Sequence, residues 1–391
     1  MTTTRRQLIV GGAATTAALA AGYAIGARTA VTRAVEYAKD SGVYDPLGIE
    51  GKLYDRIKLV ALDLLPGSTI LSMSRWMALL TDAQKSYNRN KAPAGDPLPE
   101  LSNAPLSIAV GFGPALFEKL GLKNQSPSGF ESIPAFKIDS LDPRYCDGDV
   151  LLQIQGNASL QLEHVARMLS RDAAEFATVR WIQNGFAQKA KVAVGAGKSV
   201  DVHRNLMGQV DGTDNPKPGT RNFADLVWID HGPAWCIGGT QVVIRRIRMN
   251  LDAWDSLGRP QQESAIGREI STGAPLGGAI LTDPVDLEAR DAIGLLAIPE
   301  YAHVRRASAQ GFRERFLRRP YNYVVENDGD TESGLLFLAY AQDLAEQYLP
   351  VQNRLAEFDL LNVWTKPIGS STFVIAPPPA DGEIIAHSLF A

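Results

Sequence analysis

Arg204-Asn205-Leu206-Met207-Gly208-Gln209-Val210-Asp211-Gly212-Thr213-Asp214-Asn215-Pro216 is a short apolar run that breaks into a carboxylate set between two glycines. Asp followed by Gly is also a common turn pair, so the segment alone reads more readily as an Asx-turn. It lies within residues 189–239, which are rich in Gly, Pro and Asp and show no clear periodicity. Such a long irregular segment is usually functional or disordered, and the acid-bearing run argues for function. Downstream stand a lone histidine in Tyr301-Ala302-His303-Val304-Arg305-Arg306 and an arginine pair in Phe316-Leu317-Arg318-Arg319-Pro320-Tyr321. An acid, an imidazole able to bind a metal and a cation that never loses its charge make a chemically useful set.

On either side of this stretch the hydrophobic pattern gives similar element orders. Lys58 to Leu65 alternates like a strand, and Leu71 to Tyr87 reads as a helix. Leu106 to Phe112 is a strand, followed by a short helix from Pro114 to Leu120. A strand at Val150 to Gln155, a helix at Leu160 to Ala174 and a strand at Ala177 to Gln183 complete the first half. Setting the short helix aside, this is β-α-β-β-α-β. In the second half Thr240 to Arg248 is a β-branched run, with helical segments across Asn250 to Arg268. Tyr321 to Glu326 and Leu335 to Ala341 form a hairpin through Asn327-Asp328-Gly329-Asp330. A helix at Leu344 to Leu360 and a strand at Thr372 to Ala376 give the same order again. The expected divisions are an export signal over 1–30, a linker over 31–55 and halves over 56–215 and 216–391. The Pro-rich segment Ala376 to Asp381 reads as a loop.

Gly208 to Gly212 spells G-x-x-D-G, His303-Val304-Arg305 matches H-[IV]-R, and Leu317-Arg318-Arg319 is L-R-R. In that order they resemble the dye-decolourising peroxidase family, and the bacterial deferrochelatase/peroxidase subgroup in particular. The resemblance runs over roughly residues 55 to 391. It extends to Gly111-Phe112-Gly113-Pro114, Trp181-Ile182-Gln183-Asn184-Gly185-Phe186 and Val243-Ile244-Arg245-Arg246-Ile247-Arg248. Thr272-Gly273-Ala274-Pro275-Leu276 and Phe337-Leu338-Ala339-Tyr340 match as well. It implies an α+β fold of duplicated ferredoxin-like halves, antiparallel sheets with flanking helices, enclosing a haem pocket. The element pattern agrees, although no repeat is visible in the residues themselves.

With 391 residues, 45% apolar and 21% charged, the chain suits a globular protein of one large or two ordinary domains. A net charge of −4 gives no electrostatic reason to expect nucleic acid. Thr2-Thr3-Thr4-Arg5-Arg6-Gln7-Leu8-Ile9 resembles a twin-arginine export signal, followed by uncharged Val10 to Ala27. The alternative is a membrane anchor. The richness in Ala, Gly and Thr favours a removable signal, with cleavage after Ala20 or Gly26 and no permanent membrane span thereafter. The protein is therefore expected in the periplasm or secreted from a bacterium. Only Cys146 and Cys236 occur, and no C-x-x-C-H is present, so the haem b that the resemblance implies, one per chain, should be held non-covalently.

Imidazole is a common axial donor to haem iron. Of His164, His203, His231, His303 and His387, the resemblance selects His303 as the iron ligand. Arg305 is assigned either to a haem propionate or to the surface. A ligating histidine donates its other N–H to an acceptor, and Asp343 is the candidate considered. Peroxide O–O heterolysis needs a base that moves a proton and a fixed positive charge that meets the developing negative one. The resemblance gives these tasks to Asp211 and Arg318. Gly208 and Gly212 are expected to let the backbone approach the macrocycle, Thr213 and Asn215 to bond a propionate, and Arg319 to meet a propionate or solvent. Asp214 departs from the family pattern without explanation.

The expected activity is reduction of hydrogen peroxide with oxidation of an organic reductant, dye-like or phenolic. Two alternatives stand beside it. One is iron release from haem, as in the deferrochelatase subgroup, which would bring an iron-uptake system as partner. The other is a non-catalytic haem carrier, which would need His303 but neither Asp211 nor Arg318. A homo-oligomer is compatible with each.

Overall fold

Strand β1, Arg56–Leu64, sends alternate residues to opposite faces, and both faces are covered. Val60 and Leu62 pack with helices α1, Ile70–Tyr87, and α3, Ser159–Ala173. Leu59 and Ala61 pack instead against residues of the second half, among them Val242, Leu338 and Phe373. The neighbouring strands β2, Leu106–Phe112, and β3, Val150–Gly156, are buried along their whole length. This double burial is why they read as near-continuous apolar runs. A computed structural model of the protein describes residues 45–390 apart from residue 328. The expected signal and residues 31–44 of the expected linker lie outside the described residues.

Adding β4, Ala177–Phe186, the first half runs β4-β1-β3-β2, all antiparallel. The second half has β8, Thr240–Met249, β10, Tyr321–Asn327, β11, Asp330–Ala341, and β12, Thr365–Ile375. It runs β12-β8-β11-β10, so in both halves the first and third strands are central and the second and fourth are edges. The duplication expected from element order is therefore present in the topology. β2 pairs with β12 through Phe112↔Val374 and Gly111↔Ile375, and β10 meets β4 at Asn322↔Phe186. Eight strands thus close into a ring, and the two-residue β9, Leu317–Arg318, extends β11 at Ala339 and Tyr340. Helix α8, Leu344–Phe358, covers the outer face of the second half with Leu344, Tyr348 and Val351.

Some elements differ from expectation. The helical stretch after β8 is two short helices, α5, Leu251–Asp255, and α6, Arg259–Ile266, parted at Gly258. β12 begins seven residues before the strand expected at Thr372, because Pro367 and Gly369 interrupt its pattern at a bulge. Residues 189–239 contain a small sheet of β5, Lys189–Ala193, β6, Ser199–Arg204, and β7, Val210–Asp211. In β5 and β6 only Val192 and Val202 are buried, too little alternation to be read from sequence.

The described part of the expected linker is integrated with the core: Leu47 and Ile49 are buried. Arg319 holds it there, donating from Nη1 to the Ile49 and Gly51 carbonyls at 2.7 Å each. This corrects the expectation that Arg319 meets a propionate or solvent. The side chain is buried between the halves and the N-terminal segment. Arg319→Met should leave those carbonyls unpaired and cost roughly 1–3 kcal/mol. A lowered denaturation midpoint, with new cleavage within residues 45–55 under limited proteolysis, would register it. An unchanged midpoint would remove the role.

Candidate active site

Residues from α8, β8, β11 and the segments at 205–214 and 266–287 border a cavity of about 1060 Å³, at the upper end of the size that holds organic cofactors. His303 opens the short helix α7, His303–Ala307, and lines this cavity. Its Nδ1 lies 2.6 Å from Asp359 Oδ2. An ionised carboxylate only accepts, so Nδ1 donates, and in the neutral ring Nε2 presents its lone pair. Asp359 ends α8, and its Oδ1 accepts the Leu361 N–H at 3.0 Å. The Leu360 N–H reaches Tyr301 O at 3.0 Å, fixing the two segments together. Burial pulls the His303 pKa down, but the charge and hydrogen bond of Asp359 outweigh it, so the net direction is upward. Asp211 adds to the rise and Arg318 opposes it, which places both within electrostatic reach of the ring.

Asp359, not Asp343, is therefore the acceptor for His303. Asp343 caps α8, taking the Ala345 and Glu346 N–H groups at 2.8 and 3.1 Å. Sequence spacing offered no pointer, since 56 residues separate His303 from Asp359.

Asp211 is the second residue of β7, paired to His203 of β6. The loop before it is tied down by Asn205, whose Oδ1 accepts the Met207 and Gln209 N–H groups, and by Arg204, which donates to Gly208 O at 2.7 Å. Asp211 Oδ1 accepts its neighbour Gly212 N–H at 2.5 Å and Arg318 Nε at 3.2 Å. Its Oδ2 makes no hydrogen bond among the described residues, and neither do Nη1 and Nη2 of Arg318. Both side chains line the cavity. Asn215 grips the Arg318 backbone from both sides, donating to its carbonyl at 2.8 Å and accepting its N–H at 3.0 Å.

The structure thus brings His303, Asp211, Arg318 and Thr213 to one cavity. Gly208 and Gly212 do not line it. They hold left-handed backbone at φ 86° and 80°, and a Cβ would meet Ile270 at 2.9 Å or Asn215 at 3.1 Å, so they shape the loop. Arg305 is also elsewhere: it donates to the Ile298 and Leu287 carbonyls, bracing a segment whose Leu281 and Leu287 form cavity wall. Asn215 is spent on Arg318 rather than free for a propionate. Asp214, unexplained by sequence, accepts Arg315 Nη2 at 2.8 Å. Sequence reading missed Arg268 and Arg315, which line the cavity as well. Arg268 has no carboxylate partner among the described residues, and burial together with the Arg318 charge pulls its pKa down. Arg315 keeps a buried Nε without a partner among the described residues. Nε2 of His303 makes no hydrogen bond among the described residues, so a flat metal-bearing ligand with carboxylate arms fits these donors and this volume.

Proton transfer and charge stabilisation on one wall, with a metal-seeking imidazole on another, are the division of labour of a haem-dependent peroxidase. The chain belongs to the Dyp-type peroxidase family. Its N-terminal family model matches residues 48–187 and its C-terminal model residues 202–380. A dye-decolorizing peroxidase of Thermobifida fusca (strain YX) is 34% identical over 365 residues, covering 88% of this chain and 83% of that protein. A deferrochelatase of Yersinia pestis is 33% identical over 419 residues, covering 98% of this chain and 94% of its own. Among solved structures, a DyP-type peroxidase from Cellulomonas bogoriensis has 42% identity and a TM-score of 0.82, covering 88% and 95% of the two chains. Ferric DtpA from Streptomyces lividans has 34% identity and a TM-score of 0.81, covering 88% and 94%.

Asp359→Asn keeps the shape but removes the charge behind His303, and should cost about 10- to 100-fold in haem affinity or turnover. Haem titration followed at the Soret band reads the first, and steady-state rates the second. Asn215→Ala should retain haem yet lose about tenfold in kcat/KM, because Arg318 is no longer held in place. Full activity in this variant would show that the clamp is dispensable.

Proposed function

We propose that the chain binds one haem b non-covalently and reduces hydrogen peroxide while oxidising organic reductants of dye-like or phenolic type. The observation that carries this is the half-open Asp211–Arg318 pair, with Oδ2 and two guanidinium nitrogens unspent, on the cavity that His303 borders. When bound, haem supplies the redox chemistry of its iron.

The residues supply the rest. His303 Nε2 would hold the iron, oriented by Asp359, while Arg268 and Arg315 suit the haem carboxylates. Asp211 Oδ2 takes a proton from peroxide and returns it to the departing oxygen, which leaves as water. Arg318 opposes the negative charge that builds on that oxygen. Non-covalent attachment is supported by the thiols. Burial pushes Cys236 up to about 12 and Cys146 upward, and neither lines the cavity. The reading includes twin-arginine export, supported by Arg5-Arg6 and the uncharged stretch after them. Among the described residues no helix is long and apolar enough to cross a membrane.

The test compares haem-loaded variants for peroxide-dependent dye oxidation. Asp211→Asn should lose about 10²- to 10⁴-fold and Arg318→Leu about 10²- to 10³-fold, both with haem retained. His303→Ala should instead shed most of the cofactor. Undiminished turnover in the first two variants would refute their roles. Iron-free porphyrin recovered intact would favour iron release, the activity for which the Yersinia relative is named.

A further inference from the structure

Asp359 borders two spaces. One is the cavity, and the other is an open surface groove of about 810 Å³, which shares Ile138, Asp359 and Asn362 with it. The groove has aromatic and apolar walls that a surface loop does not need: Phe358 is 52% exposed, Tyr301 37% and Val363 67%. Lys137 and Lys366 flank these surfaces, and neither meets a carboxylate among the described residues. Lys137 Nζ only donates to the Glu357 carbonyl at 3.3 Å. Arg248 sits opposite Lys366 on the adjoining strand, and the Arg306 guanidinium lies 4.6 Å from the Phe358 ring centroid. The acidic lining residues are Glu357, which is exposed, and Asp359, whose oxygens are committed to His303 and Leu361. The balance of the groove is cationic and aromatic.

We infer that this groove binds flat phenolic reductants carrying a sulfonate or carboxylate, and that their electrons reach His303 through its hydrogen bond to Asp359. The inference rests on the peroxidase reading above. Rings stack on Phe358 and Tyr301, the anionic group sits between the lysines, and the floor lies one 2.6 Å hydrogen bond from the imidazole. A reductant too bulky for the cavity would thus be oxidised without entering it. Each phenol gives up one electron and releases its proton to solvent, becoming a phenoxyl radical. Two such phenols and one hydrogen peroxide give two phenoxyl radicals and two waters, the peroxide taking up two protons and two electrons.

The experiment uses the haem-loaded protein and two probes, a naphthol sulfonate and its trimethylammonium counterpart. Calorimetry should show saturable binding of the sulfonate. Lys137→Glu with Lys366→Glu should weaken it about tenfold and tighten the cationic probe, with kcat/KM moving in the same directions. Phe358→Ala should weaken both probes. Lys366→Gln replaces the double variant if the latter loses its Soret band or its folded spectrum. Equal losses for both probes in the charge-reversed variant, unchanged affinities, or altered binding without altered kcat/KM would overturn the inference. If no reductant is turned over at all, the peroxidase reading fails on its own, and the charge-reversed calorimetry still decides whether the groove is a binding site.

Discussion

Each half, standing alone, would expose two strand edges with unpaired N–H and C=O groups. Pairing β2 with β12 and β4 with β10 removes all four, and the remaining architecture follows from that closure. The second joint is the thinner, resting on Asn322↔Phe186. It is reinforced by the Asn322 side chain, which donates to Arg204 O at 3.0 Å and accepts the Leu206 N–H at 3.0 Å. The same asparagine that marks the seam therefore anchors the loop that presents Asp211. Closure of the ring and placement of the acid are one structural event.

The candidate reactive groups lie on none of the long repeated strands or helices. Asp211 sits on a two-residue strand, Arg318 on another, and His303 on a one-turn helix. Such short pieces have little intrinsic stability, so their geometry has to come from side-chain bonds to the frame. Asn215 and Asn322 provide those bonds on the acid–arginine side, and Asp359 provides them on the histidine side. Each clamp spans more than fifty residues of sequence, the shortest being the 56 between His303 and Asp359.

That arrangement explains what could be read from the chain. β1, β2 and β3 stand out as apolar runs because both of their faces are buried, their helices carry a 3.6-residue pattern, and the expected bounds are close to those observed. The duplicated order was legible for the same reason. Of the site, Asp211, His303, Arg318 and Thr213 were legible by resemblance, and they do share a cavity. Arg305, Arg319, Gly208 and Gly212 match motifs equally well, yet their work is structural. A motif records that a residue is required and leaves open whether it faces the ligand or the frame. Asn215 was misread and Asp359 was missed, because their partners lie far away in sequence. Asp343, the wrong choice for the histidine, carries the local signature of a helix cap.

Two carboxylates thus stand close to one imidazole's field, and their bonding separates their tasks. Asp359 has Oδ1 filled by Leu361 and Oδ2 by His303, so it has no free oxygen with which to carry a proton to a ligand. What it can do is hold the ring and polarise it. Asp211 has one oxygen engaged by Gly212 and Arg318 while the other stays open beside the cavity. Only that open oxygen can receive and return a proton without breaking a bond of the frame. Exchanging the sequence contexts of the two residues would exchange what each can do, because saturation by neighbours, more than the identity of the side chain, decides which acid is fitted to position a partner and which is free to exchange a proton.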